Sequence, residues 1–296
     1  MKKNMKWLVI GIVFLLVLVY AIVPAQKELV VKVSLPIERV MMEFELMDKI
    51  DQWYAPKKSG GYSISIEKAN PFEFIFVHAK DGKTTPLHFV VSPDTTDSKL
   101  TKIVYSYEQS RLPIPGDDLE ESAAASIDQL GEMLNTTTYV YGHKILTTTV
   151  TDSSFLFQSR VVNKLKEADE TRKIFDELIA YAEKRNAGYN GVRIFYTQRV
   201  SKDEIALFAS VGVNNYTPTG PDEKIQYKMM PYGKKLLILD FEGPYGKSKE
   251  LFSVLEDYKR YNTMVSMAIP FIKYMSPGYG FADSQVVKVR VSYPVF

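Results

Sequence analysis

The chain has 296 residues, a formal net charge of +2 and no cysteine. That balance leaves no polybasic footprint for nucleic acid, and the missing thiols exclude disulfides, thiolate catalysis, a lipid-anchor cysteine and cysteine-based zinc sites. The three histidines (His78, His88, His143) stand far apart and form no metal-binding spacing, so neither a metal nor a cofactor is expected.

Lys2, Lys3 and Lys6 precede an uncharged run from Trp7 to Ala25. At 1.5 Å per residue it spans about 28 Å as a helix, close to the hydrocarbon core of a bilayer. Trp7 and Tyr20 sit near its two ends, where interfacial aromatics belong. Residues 1–25 therefore read as a membrane anchor. The competing reading is a cleaved signal peptide with Val23-Pro24-Ala25 at the cut. Either way the N-terminus is expected in the cytoplasm and the remaining chain outside it; as an anchor, residues 7–25 make the chain a single-pass membrane protein.

Residues 26–142 read as a first domain. Glu28 to Leu35 alternates as a strand, and Ser34-Leu35-Pro36-Ile37-Glu38 is a helix start. Val40, Met41, Phe44 and Met47 continue the helical spacing to Trp53. Strand-like stretches follow over 62–67, 72–79, 86–91 and 100–108, separated by Asn70-Pro71, Asp81-Gly82 and Ser92-Pro93-Asp94. A helix is expected from Leu119 to Leu134, with Ala124, Ile127 and Leu130 in phase. The strand, the Ser-Leu-Pro-Ile-Glu-Arg-Val helix start, Asp48 and Trp53, and the late helix before Tyr141-Gly142 together resemble the SRPBCC superfamily (START and polyketide-cyclase-like). That resemblance implies a helix-grip fold: a curved antiparallel sheet around a long helix, enclosing an apolar cavity. This chain departs from the pattern, with four strands between its helices where the family usually has six.

Residues 143–296 contain a duplication. Ile174-Phe175-Asp176-Glu177-Leu178-Ile179-Ala180-Tyr181 is repeated in outline by Leu251-Phe252-Ser253-Val254-Leu255-Glu256-Asp257-Tyr258, 77 residues later. Around each phrase lie a preceding strand and two following ones, so two β-α-β-β repeats are expected at about 146–213 and 225–296. His143 to Thr151 is β-rich and reads as a connection between the domains. Gly243-Pro244-Tyr245 switches the chain from strand to helix, and the last strand closes on Tyr293-Pro294-Val295. These two signatures, at this separation, resemble the GyrI-like family, which includes effector-binding domains of AraC- and MerR-type regulators. The expected fold class is thus α+β: an N-terminal transmembrane helix, a helix-grip-like antiparallel sheet domain, and a duplicated β-α-β-β domain.

The GyrI-like resemblance implies a cleft between the two repeats that holds a small hydrophobic, aromatic or cationic molecule. By analogy and strand position, Tyr196, Phe208, Tyr245 and Tyr274 are the expected wall residues, with aromatic faces that suit apolar or cationic ligands. Many family members carry an acid just before the tyrosine that Tyr274 matches. Here Phe271, Ile272 and Lys273 stand there, and Glu242 is the nearest alternative acid. No catalytic constellation is evident. The leading expectation is a membrane-anchored small-molecule-binding protein without a DNA-binding module and with no nucleic-acid partner. The alternatives are a hydrolase working in the same cleft, with Glu242 or Asp283 as base, and a structural or partner-binding envelope protein.

Overall fold

The computed structural model describes residues 25–56, 61–97, 99–109, 119–266 and 268–295. The expected anchor, Trp7 to Ala25, lies outside the described residues except for Ala25, which opens the first strand rather than closing a helix. Among the described residues no helix is long and apolar enough to cross a membrane. The chain divides into two compact units between Val140 and Tyr141.

The N-terminal unit begins with β1 (Ala25–Val33), α1 (Ile37–Glu45) and α2 (Met47–Trp53). It continues with β2 (Ser63–Asn70), β3 (Glu73–Lys80), β4 (Lys83–Pro93), β5 (Thr101–Gln109) and α3 (Leu119–Leu134). A short helix α4 (Thr137–Tyr141) runs across the division. Four strands between the helices, as expected, form an antiparallel sheet with β1 in the order β1-β5-β4-β3-β2. The β3–β4 hairpin turns on Asp81 and Gly82, both at positive φ (53° and 77°), the geometry that two-residue hairpins demand. Gly131 on α3 marks the closest approach of helix to sheet: a Cβ there would lie 2.1 Å from Val31 Cγ1.

Where a helix-grip fold encloses a cavity, this unit is packed with rings. Phe44, Trp53, Tyr54, Phe74, Phe76, Phe89 and Tyr105 are each at most 1% exposed. They form a continuous set of ring contacts, Phe44 to Phe74 at 5.3 Å and Phe76 to Phe89 at 4.8 Å among them. Among the described residues these side chains occupy the interior where the resemblance implies an apolar cavity. At the end of this cluster the Tyr54 hydroxyl meets His78 Nε2 at 3.0 Å, and His78 Nδ1 lies 3.0 Å from the Phe76 carbonyl.

The C-terminal unit is built on one eight-stranded antiparallel sheet. Its elements are β6 (Ile145–Thr149), β7 (Ser154–Asn163), α5 (Glu167–Lys184), β8 (Tyr189–Arg199) and β9 (Glu204–Val213). Then follow β10 (Gln226–Met229), β11 (Lys235–Pro244), the single turn α6 (Tyr245–Ser248), α7 (Leu251–Tyr261), β12 (Phe271–Tyr274) and β13 (Val286–Val295). The strand order, β10-β7-β9-β8-β12-β13-β11-β6, reads as two like halves meeting at β8 and β12. The outer strands are exchanged. β6 opens the first repeat in sequence but pairs with β11 of the second, and β10 opens the second but pairs with β7 of the first. The stretch expected to join the domains is thus an edge strand of this sheet. Its Leu146 and Thr148 pair with Ile238 and Leu236, which explains its β-rich composition.

Alternation divides the two faces of the sheet. Leu207, Ala209, Val211, Leu237, Leu239, Val289 and Val291 point to one face and pack with Ile174, Phe175 and Leu178 of α5 and Leu251 and Leu255 of α7. Leu236, Ile238 and Phe271 point to the other and pack with Val150, Ile194 and Met230. Acidic residues Glu167, Asp169 and Glu170 occupy the first turn of α5, where the helix dipole favours them. Asn186, at φ 51°, ends that helix in the left-handed conformation.

Two outcomes are expected for the N-terminal unit. Phe44→Ala removes the ring shared by four neighbours (Trp53, Phe74, Phe76 and Phe89) and lowers the unfolding free energy by about 3–5 kcal/mol in a urea titration. Burial also holds the His78 imidazole below its ordinary pKa. The unfolded chain then binds a proton near its reference value of about 6.5 while the folded unit does not. Stability from neutral His78 is full above that value and is lost as pH falls towards the folded pKa. The urea midpoint is expected to drop from about pH 7.5 to about pH 5.5, and to drop less in His78→Gln.

Candidate functional site

The two halves of the C-terminal sheet join through few pairs. Ile272 lies opposite Phe195 and Lys273 opposite Ile194. Pro270 stands just before β12 and has no N–H to extend the ladder. β8 runs on past this joint through Tyr196 and Thr197, and α7 passes beside it. The space between them is an open cleft of about 420 Å³. Phe195, Ile272 and Pro270 line it on the sheet side, Lys249, Phe252, Ser253 and Glu256 on the helical side, with Tyr196, Thr197, Tyr245 and Tyr293 completing it.

Its residues fall where the local fold puts them. Lys249, Phe252, Ser253 and Glu256 are spaced by three, one and three, the spacing of one helix face. Tyr245 follows the Gly243-Pro244 turn. Its amide donates to the Gln285 carbonyl at 2.8 Å, and the Gly246 amide donates to the Asp283 carbonyl at 2.9 Å. Gly243 is needed for packing, because a Cβ there would lie 2.7 Å from the Phe241 ring. At the outer end of the cleft Glu256 pairs with Lys259 at 2.8 Å. The Lys259 ammonium beside it, helped by the Tyr293 hydroxyl, holds the Glu256 carboxyl below its usual range.

Beyond Tyr245 the groove between the helices is closed by the chain itself. The β12–β13 loop, residues 275–285, folds against α5. Arg193 donates to the carbonyls of Gly278 and Ser276 at 2.8 and 2.9 Å, and Arg172 donates to that of Gly280 at 3.2 Å. Tyr279 donates its hydroxyl to Asp176. Burial, and then the Asp176 carboxylate, push the Tyr279 phenol up to about 12. Phe281 packs on Tyr274 and Tyr245, with ring centres at 5.6 and 6.2 Å, and Phe175 adds a further ring against Tyr274. Burial raises the pKa of both Tyr245 and Tyr274, so each stays a neutral phenol. Their hydroxyls meet at 3.4 Å.

Of the expected site residues, Tyr196 and Tyr245 line the cleft. Tyr274 does not: it is buried beneath Phe281 and lies behind two lining residues, Tyr245 and Phe195, with ring centres at 6.4 and 6.3 Å. Phe208 lies outside the lining, although it stands opposite Tyr196 on the same face of the sheet. Its ring stacks instead with Phe157 at 6.3 Å and meets Tyr196 at 5.8 Å. Glu242 is exposed on β11 opposite Lys288 and is not part of the lining. Asp283 also lies outside the lining and pairs with Lys249 at 3.2 Å.

The lining residues that sequence reasoning passed over include Lys249, Phe252, Ser253, Glu256 and Tyr293 on the helical side and at the rim, and Phe195, Thr197, Pro270 and Ile272 on the strands. Two of them carried a signal. Phe252 occupies the same place in its repeat as Phe175, and Tyr293 belongs to the terminal Tyr-Pro-Val signature. Among the described residues no group of three His, Asp or Glu side chains is placed to hold a metal ion. The arrangement offers aromatic walls, a few hydroxyls and two internally paired charges. Such a surface can bind an organic molecule by burial, stacking and hydrogen bonds.

No protein-family model and no curated protein sequence matches this chain. Similar solved structures include the EcmrR C-terminal domain, at 13% identity over 52% of this chain and 98% of that one, with a TM-score of 0.38. An uncharacterized conserved protein from Listeria innocua aligns at 12% identity over 57% of this chain and 98% of that one, with a TM-score of 0.39. The di-domain ARO/CYC BexL of the BE-7585A biosynthetic pathway aligns at 10% identity over 92% of this chain and 85% of that one, with a TM-score of 0.26. Identities and scores this low say nothing of activity.

The 275–285 loop gives a direct test of this local architecture. Gly280 sits at φ +66°, and a Cβ there would lie 2.4 Å from the Ala168 carbonyl oxygen and 3.0 Å from Arg172. Gly280→Ala is expected to destabilise the C-terminal unit by about 1–3 kcal/mol and to speed amide exchange across residues 275–285.

Proposed function

We propose that the chain is a small-molecule-binding protein of GyrI-like kind, and that its ligand, an apolar or aromatic molecule, lodges in the cleft between β8, β12 and α7. The observation that carries this reading is the cleft of about 420 Å³ with Tyr196, Phe252 and Tyr293 around it and buried Tyr245 at its inner end. That volume falls in the range of pockets that take small organic ligands. The Gly243-Pro244-Tyr245 turn delivers Tyr245 to the cleft, and the terminal Tyr-Pro-Val delivers Tyr293, so both signatures of the family resemblance converge on one place. The two-halved strand order supports the same reading. In the N-terminal unit, the five-stranded antiparallel sheet and α3 support an SRPBCC-like origin, with the interior given over to packing.

Binding rather than hydrolysis is supported by the placement of the acids. Glu242 and Asp283 lie outside the lining, and Glu256 is held ionised beside Lys259. We further propose that residues 7–25 anchor the protein in a membrane and that the two units lie on the extracytoplasmic side. The uncharged run behind three lysines supports that arrangement.

Two measurements test these readings. A ligand at about 100 times its Kd adds about 2.7 kcal/mol to the stability of the protein that binds it. A thermal-shift panel of neutral aromatics is expected to contain stabilising members whose effect is lost in Phe252→Ala and weakened in Tyr196→Ala; a panel without any would defeat the binding reading. In intact cells, protease added from outside the cytoplasmic membrane is expected to reach the units, and cleavage from the cytoplasmic side alone would reverse the topology.

A further inference from the structure

The inner end of the cleft is built as a seat for a cation, and the chain fills that seat itself. Lys249 projects from the turn between α6 and α7. Its Nζ lies 2.9 and 3.1 Å from the two carboxylate oxygens of Glu167 and 3.2 Å from Asp283 Oδ1. It also stands 5.0 Å from the centre of the Tyr245 ring. Glu167 belongs to α5 in the first repeat, whereas Lys249, Tyr245 and Asp283 belong to the second. The four groups come together only because the sheet brings the repeats side by side.

Two carboxylates and an aromatic face are what an organic ammonium requires: charge-assisted hydrogen bonds on one side and the ring quadrupole on the other. The Lys249 side chain is about one-third exposed and lines the cleft, so its ammonium stands between the seat and any molecule entering. The remaining charges of the lining, Glu256 with Lys259 next to it, neutralise each other at the other end. An entering cation would meet a positive charge already placed at the Glu167 and Asp283 carboxylates, whereas an uncharged aromatic would meet the Tyr196, Phe252 and Tyr293 rings without that repulsion.

We infer that Lys249 is a built-in occupant of the cation seat formed by Glu167, Asp283 and Tyr245, so that the cleft selects uncharged aromatic molecules and rejects organic cations. This rests on the binding reading above and adds the charge class of the ligand. Replacing the lysine by an uncharged side chain of similar length vacates the seat and leaves its two acids unpaired, which reverses the preference.

The test uses the full chain with two probes: N-phenyl-1-naphthylamine, which is neutral, and 1-naphthylmethylammonium, an aromatic cation whose ammonium carries N–H donors. The wild type is expected to bind the neutral probe and to bind the cation at least about ten-fold more weakly than Lys249→Met does, a factor that corresponds to about 1.4 kcal/mol. Glu167→Gln placed in the Lys249→Met background is expected to remove the gain, which separates the seat from a general increase in hydrophobicity. Lys249→Gln provides a second variant, and retained binding of the neutral probe shows that either variant keeps its cleft. Equal cation affinity in wild type and variants, with the neutral probe bound, overturns the inference and leaves the binding reading standing. Failure of every protein to bind either probe defeats both.

Discussion

The C-terminal unit depends on a short antiparallel joint. Two opposed pairs, Ile272 with Phe195 and Lys273 with Ile194, hold the halves of the eight-stranded sheet together at its centre. A longer ladder there would bring α5 and α7 under a continuous floor. The pairing stops short of Pro270, and the cleft lined by β8 and α7 lies beside its end. The exchanged outer strands offset this weak centre. The segments that carry the chain across to β6 and β10 cross the opposite face and bond to each other, Val150 to the Lys234 carbonyl at 2.8 Å and Met230 to the Ser153 carbonyl at 2.7 Å. Unpairing the centre would also disturb this crossing.

The repeats share a plan and differ where function would be expected to separate them. Phe175 and Phe252 hold the same place in the repeated helical phrase. Phe175 is buried beneath the rings of Tyr279 and Tyr274, whereas Phe252 stands half-buried in the cleft wall. The difference traces to the connections. The β8–β9 connection is a tight turn at 200–203, while the β12–β13 loop is long enough to fold over α5 and bring Tyr279 and Phe281 into the groove. One end of the groove is thereby closed with aromatic side chains, and the other end is open.

Much of this was legible in the sequence, for identifiable reasons. Period-two alternation marks strands whose faces differ, and β9 and β13 show it, whereas β11 is marked by its continuous apolar run from Leu236 to Leu239. The helical phrase announced the duplication, and Gly243-Pro244-Tyr245 marked the turn that carries Tyr245 to the cleft. The rest depended on information that local pattern does not carry. Phe208 shares a sheet face with Tyr196, its partner across the ladder, but packs on Phe157 and stays outside the lining, which strand phase alone does not reveal. Tyr274 has the right phase but is covered by Phe281, a contact made by a loop whose path no periodicity describes. The partner of β6 is 90 residues away in β11, counting from Ile145 to Lys235, so composition revealed a strand but not its place. Lys249 reads in sequence as one of several lysines near α7, and its meaning appears only when Glu167 of the other repeat is beside it.

The absence of cysteine allows the central claim, that a small molecule occupies this cleft, to be tested at one chosen atom. Ser253→Cys places the only thiol of the protein in the lining, and Ser201→Cys places it on the exposed β8–β9 turn as a control. The rate of thiol alkylation is then measured with and without N-phenyl-1-naphthylamine. The account predicts that the neutral aromatic slows alkylation at position 253 and leaves position 201 unchanged. Equal rates at position 253 with a saturating probe would show that the molecule binds elsewhere or not at all, and would contradict it.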